Sequence, residues 1–235
     1  MLGSVINGAC ILLAGLAVGL RLPEIPGGTQ RRLQVLLGVL TLGLGFHVIW
    51  RGVNGSARQV LQQMLVLLLA WVLGKLSGQA MGLQRSLNGL GGFARERLTR
   101  RGGTPGDVFA AATVVFCLTP LAVIGPVQEA LGADARGLLL KSLVDGLAAL
   151  ALIRTCGWGV TLVAVPVVAI QGSLSLLLAG WRDWMGAVRV ADSVYATSGL
   201  LLVAVALVML QILRVRLADY LPSLVWAGVL GWLLL

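Results

Sequence analysis

Residues 116–147 read FCLTPLAVIGPVQEALGADARGLLLKSLVDGL, and the rest of the chain is organised around them. On either side lie long aliphatic runs joined by short basic connections. Within the stretch, Pro120, Pro126, Gln128, Glu129, Lys141, Ser142 and Asp145 interrupt that hydrocarbon character. A charge at the centre of a bilayer costs about 2.5–3.5 kcal/mol on insertion scales, so charges set between apolar spans are either neutralised or used. The fold this predicts is all-α: a polytopic integral membrane protein with a polar site in its interior.

Composition agrees. Of 235 residues, 58% are hydrophobic and 11% charged, with a mean hydropathy of +0.94. About 25% charged residues is usual for a soluble domain, so this chain has too few to cover a water-facing surface. The formal charge of +9 raises nucleic acid as a partner. The basic residues, however, fall between apolar runs, where membrane proteins carry orientation signals, so no nucleic-acid partner is expected. Cys10, Cys117 and Cys156 lie in or beside apolar runs without CxxC spacing, and His47 is the only histidine. Neither a metal site nor a cofactor is expected from them.

Eight spans of roughly the 17–25 residues a bilayer requires can be drawn. They are Leu2–Leu20, Leu33–Trp50, Val60–Leu76, Asp107–Ile124, Leu138–Ile153, Trp158–Gly180, Ser193–Leu213 and Tyr220–Leu235, forming a single transmembrane domain over 1–235. The first has no preceding positive region, so it reads as a retained helix rather than a cleaved signal. With eight crossings, one side collects twelve basic residues: Arg21, Arg31, Arg32, Lys75, Arg85, Arg95, Arg97, Arg100, Arg101, Arg154, Arg214 and Arg216. The other collects five, Arg51, Arg58, Arg136, Arg182 and Arg189, and Lys141 lies within a span. The bias places the larger set in the cytoplasm of a bacterial plasma (inner) membrane and both termini outside.

The cytoplasmic basic segment 76–106 carries Leu83, Leu87, Leu90 and Phe93 at helical spacing with arginines between them. It reads either as an interfacial amphipathic helix or as a loop loosened by its glycines. Trp50, Trp158, Trp181, Trp184 and Trp232 mark span ends. The small-residue pairs Gly15/Gly19 and Gly74/Gly78 permit close helix contact. Ile6-Asn7-Gly8 with Leu12–Gly15 also resembles Ile170-Gln171-Gly172 with Leu177–Gly180. Matching spans one to three with six to eight gives an odd offset, the sign of an inverted repeat.

With this topology, Asn7, Glu129, Lys141, Asp145 and Gln171 share the outer half of the bilayer, and Ser142 and Ser173 lie beside them. Lys141 and Asp145 are four apart and face one side of a helix. They are either a packing pair or part of a polar pathway. Two spans carry related interruptions, Pro120 with Gly125 and Pro126, and Pro166 with Gly172, which read as helix breaks of the kind that line cavities in transporters.

Several of these pieces resemble the YqgA/YdfK-like family of bacterial membrane proteins. They are Leu2-Gly3-Ser4-Val5-Ile6-Asn7, Phe116-Cys117 with Ala122-Val123-Ile124-Gly125, Lys141-Ser142-Leu143-Val144-Asp145-Gly146, Gln171-Gly172-Ser173-Leu174 and Leu221-Pro222. Where that family usually reads Gly-Ser-Ile-Glu-Asp-Gly, this chain has Gly125-Pro126-Val127-Gln128-Glu129-Ala130, leaving Glu129 as the only carboxylate there. The resemblance implies an integral inner-membrane protein with transport as the expected role, and no particular substrate. The sequence contains no Walker loop, HExxH or Ser–His–Asp set, so an enzyme is not expected. The expectation is a transporter or channel for a small solute or ion; the alternative is a non-transporting structural or regulatory membrane protein. Its partners are the lipid bilayer and that solute or ion, with homo-oligomerisation left open.

Overall fold

A computed structural model describes residues 2–21, 26–99, 104–132, 134–183 and 190–235. Among them all regular elements are helical: α1 (Leu2–Gly19), α2 (Gly27–Gly52), α3 (Ala57–Ala80), α4 (Leu83–Thr99), α5 (Pro105–Cys117), α6 (Pro120–Gly132), α7 (Arg136–Cys156), α8 (Ala164–Gly180), α9 (Val190–Met209) and α10 (Ser223–Leu234). Short 3₁₀ turns, Trp158–Val163 and Leu217–Tyr220, lead into α8 and α10.

Local chemistry sets the boundaries. Ser56 caps α3 and Thr104 caps α5, each in a reciprocal box with the residue three positions on, Gln59 and Asp107. α7 stops at Gly157, whose φ of +91° suits a residue without Cβ. α5 stops at Cys117 because Pro120 disfavours helical backbone at Thr119 and then opens α6 as its first residue.

Six stretches are long and apolar enough to cross a membrane: α1, α2, α3, α8 and α10 with their 3₁₀ turns, and α9. α5 and α6 pass only as a pair, bent by 54°. α7 has 21 residues, about 32 Å of helix at 1.5 Å per residue, but carries Lys141, Asp145 and Arg154. Six or seven apolar spans therefore stand against the eight expected, and charged α7 is the difference. The outer surface is hydrocarbon. Leu13 and Leu16 of α1, Leu65 and Leu68 of α3 and Leu176 and Leu177 of α8 are all exposed, as a lipid-facing wall requires. Trp50, Trp158, Trp181 and Trp232 are exposed as well, while Trp184 lies outside the described residues.

Small residues bring three helix pairs together, and each pair is antiparallel. α1 runs along α8 and its 3₁₀ turn, with Gly8 against Val168, Gly15 against Thr161 and Gly19 against Trp158. α2 runs along α9, with Gly38 against Leu210, Gly45 against Val203 and Gly52 against Ala196. α3 meets α10 and its 3₁₀ turn, with Gly74 on Ser223 and Gly78 on Asp219. These are the three pairs that the repeat reading matches.

Two apolar cores result. One joins α2, α3, α6, α9 and α10 through residues such as Val48, Ala70, Ile124, Leu202 and Ala227. The other joins α1, α5, α7 and α8 through Ile11, Phe116, Ala149, Val160 and Val167. α6 packs on both α7 and α8, so the polar groups of 116–147 fall at the seam.

Most of the described part of segment 76–106 is helical. α3 continues to Ala80 and α4 covers Leu83–Thr99, packed on α5 and the 217–220 turn. The backbone N–H of Gln84 donates to Asp219 Oδ1 and its Oε1 accepts from Ala218 N, both at 3.1 Å. Arg97 pairs with Asp107, while Arg85 and Arg95 are exposed.

Candidate functional site

Lys141 and Asp145 lie one turn apart on α7, 1% and 4% exposed. The Lys141 ammonium donates to Asp145 Oδ2 at 2.5 Å and to the Phe116 carbonyl at 3.0 Å. Phe116 O belongs to the last turn of α5, where carbonyls have no partner within the helix and carry partial negative charge. Lys141 thus neutralises a carboxylate and caps a helix that ends inside the apolar core.

Asp145 Oδ2 also accepts from Asn7 Nδ2 of α1 at 2.9 Å, and the same Nδ2 donates to Gln171 Oε1 of α8 at 3.1 Å. Asn7 and Gln171 are fully buried. α1, α5, α7 and α8 therefore meet at one cluster, which brings four of the predicted residues into direct contact. Buried charge and amides of this kind survive in a core only when mutually bonded.

Glu129 of α6 forms a second rung nearer the N-terminus of α1 and the C-terminus of α8. Its Oε1 accepts from the Gly3 backbone N–H at 2.8 Å and its Oε2 from Ser175 Oγ at 2.9 Å. Gly3 precedes Asn7 by four residues, and Ser175 follows Gln171 by four. α1 and α8 being antiparallel, both steps lead the same way, and a turn of four residues separates the rungs by about 6 Å. Between them, Ser4 Oγ, Asn7 Oδ1 and Gln171 Nε2 are buried without a hydrogen-bond partner among the described residues.

A further series of hydrogen bonds starts at Gln128 of α6. Gln128 Nε2 donates to Ser198 Oγ of α9 at 3.3 Å, Ser198 Oγ donates to Tyr195 O at 2.6 Å, and Tyr195 OH donates to Asp134 Oδ2 at 3.3 Å. Asp134 is joined by Arg136 at 3.4 Å.

Other predicted residues fall elsewhere. Ser142 is buried but donates to Leu139 O, lining an apolar cleft with Cys10, Leu143 and Gly146. Ser173 is exposed and donates to Ile170 O, so Ser175, two residues on, takes its place. Of the expected breaks, only the one beside Pro120 interrupts a span, at Leu118–Thr119. Gly125 and Pro126 lie inside α6, where Gly125 lets Leu138 approach. Pro166 sits in the first turn of α8, where a missing N–H costs nothing, and Gly172 lies in continuous helix. The polar groups are thus satisfied by side chains and one half-helix end, not by paired unwound segments.

Sequence reasoning missed Ser175, Ser4 and the Phe116 carbonyl. Ser175 was legible as the next residue on the Gln171 face of α8. A main-chain acceptor has no sequence signal.

Comparison with known proteins places this architecture. "Uncharacterized membrane protein YdfK" of Bacillus subtilis (strain 168) is 24% identical over 225 residues, 95% of this chain and 93% of that protein. "Uncharacterized protein YqgA" of Escherichia coli (strain K12) is 25% identical over 232 residues, 97% of this chain and 94% of that protein. No solved structure matches. The family described as "Protein of unknown function (DUF554)" matches residues 2–232, and the chain belongs to that family of membrane proteins.

Proposed function

We propose that the protein moves a small solute or ion across the bacterial inner membrane, through a polar passage that descends from Glu129 to Asp145. One observation carries the reading: two carboxylates about one turn apart in depth, Glu129 held by α1 and α8 and Asp145 by the Asn7 amide of α1 that also bonds Gln171 of α8, with buried polar atoms beside them that have no partner among the described residues. Ionisable groups at membrane depth are costly and mark pathways more often than ornament. A packing pair needs Lys141 and Asp145 alone; it does not need Glu129, Ser175, Asn7 and Gln171 aligned above it. α7 crosses the membrane in this reading, its charges turned inward.

The charge exchange Lys141→Asp with Asp145→Lys separates passage from packing. Either single change leaves a buried charge unpaired and costs about 3–5 kcal/mol, whereas the exchange restores pairing. In liposomes holding trapped pyranine, with a potassium gradient and valinomycin setting the potential, the wild type is expected to carry proton-equivalent flux above empty vesicles. The folded double exchange is expected to lose that flux, because the field at the site is inverted. Undiminished flux in the exchanged protein would assign the pair to packing.

A further inference from the structure

Asp145 Oδ2 receives Lys141 Nζ and Asn7 Nδ2 together. An ionised carboxylate only accepts, so Asn7 must present its –NH₂. Gln171, meeting the same Nδ2, must in turn present Oε1. The charge on one carboxylate therefore dictates the orientation of two amides on two other helices. The ends turned away, Asn7 Oδ1 and Gln171 Nε2, are the ones left unpaired.

We infer that the inner rung is a proton-binding switch: protonation of Asp145 turns the Asn7 and Gln171 amides over together. The proton arrives from water on the Glu129 side and is bound by the Asp145 carboxylate; Lys141 stays an ammonium held by Phe116 O, and the loss of its counter-charge makes this the less stable of the two states. Asn7 Oδ1 then accepts from the new Asp145 O–H and from Gln171 Nε2. The ends that face away become Asn7 Nδ2 and Gln171 Oε1. An acceptor on α1 and a donor on α8 are exchanged for a donor on α1 and an acceptor on α8. Any water or neutral polar solute seated there meets an inverted pattern, and differential binding of that kind couples a solute to a proton.

The chemistry favours H⁺ over an alkali cation. Hard cations take oxygen ligands, but here an ammonium already occupies Asp145 Oδ2 and Phe116 O, and an amide –NH₂ faces the gap. The titratable groups near Asp145 are Lys141 on its own helix, Cys117 on α5, Cys10 on α1 and Glu129 one rung out on α6; His47 of α2 lies with Arg136 in a separate apolar groove. Gln171 and Asn7, from α8 and α1, bring no charge.

This rests on the passage proposed above, and its test needs no transport. The full chain, in lipid nanodiscs with ¹⁵N-labelled Asn and Gln, is titrated between alkaline and acidic buffer by infrared difference spectroscopy and side-chain amide NMR. The expected result is a protonated-carboxyl band lost in Asp145→Asn, accompanied by shifts of the Asn7 and Gln171 amide signals. In Asn7→Leu the carboxyl band should persist while the Gln171 shift disappears. Should Asp145→Asn fail to fold, the uncharged pair Lys141→Met with Asp145→Asn supplies the control. An Asp145 that never titrates in the folded protein, or titrates without moving either amide, overturns the switch. A working switch without flux overturns only the transport reading.

Discussion

At the scale of single residues, the site depends on which face of α8 looks inward. Gln171 and Ser175 are four apart and buried, while Ser173 between them is exposed to lipid. Ser175→Ala removes a hydrogen bond to the Glu129 carboxylate, worth about 1.5–3 kcal/mol for a charged acceptor. It is therefore expected to slow pyranine-reported flux strongly while leaving expression intact, and Ser173→Ala should behave as wild type. Equal losses in both variants would mean that neither hydroxyl acts through Glu129. The sequence put Asn7, Glu129, Lys141, Asp145 and Gln171 in one layer because depth follows from span direction and rise per residue. It misassigned the serine because depth says nothing of azimuth, and Ser173 and Ser175 differ by about 200° around a helix of 3.6 residues per turn.

Among the elements, glycine decides where helices touch. A Cβ at Gly78 would sit 2.0 Å from the Asp219 carbonyl oxygen, and one at Gly74 2.5 Å from Ser223 backbone. Both obstacles are main chain, so α3 and α10 would have to separate. Gly78→Ala is expected to destabilise the protein by about 1–3 kcal/mol, the usual cost of overpacking. Gly43, on the open face of α2, has nothing within 4 Å, and Gly43→Ala should be neutral or stabilise by about 0.5–1 kcal/mol through helix propensity. Thermal unfolding in nanodiscs compares them, and equal shifts would remove the close-contact argument. The small-residue spacing of α1 and α3 was legible in the sequence, as were the helices and the break before Pro120. The continuity of α6 through Pro126 and of α8 through Gly172 was not. A proline or glycine loosens a turn without saying whether neighbours hold it, and here Leu138 packs on Gly125.

For the whole molecule, helix directions bear on the number of crossings. Gly3 of α1 meets Leu138 of α7, and Cys10 of α1 meets Gly146 of α7, so these two helices run parallel. If α5–α6 dipped in and returned to its starting side, α7 would run antiparallel to α1. Parallel packing instead supports α5–α6 as one bent crossing and α7 as the next. The antiparallel pairs α1/α8, α2/α9 and α3/α10 are those that eight crossings would give. That pairing is also what a two-fold axis in the membrane plane produces. The bias of twelve basic residues against five predicts that the termini lie outside. Green fluorescent protein inserted between residues 100 and 103 should therefore fluoresce, and alkaline phosphatase fused after Leu235 should be active. A fluorescent protein that lights up at Leu235 would mean an odd number of crossings or the reverse orientation. Either outcome would overturn the side assigned to each loop, while the contact of Ser175 with Glu129, which belongs to the fold and not to the topology, would stand.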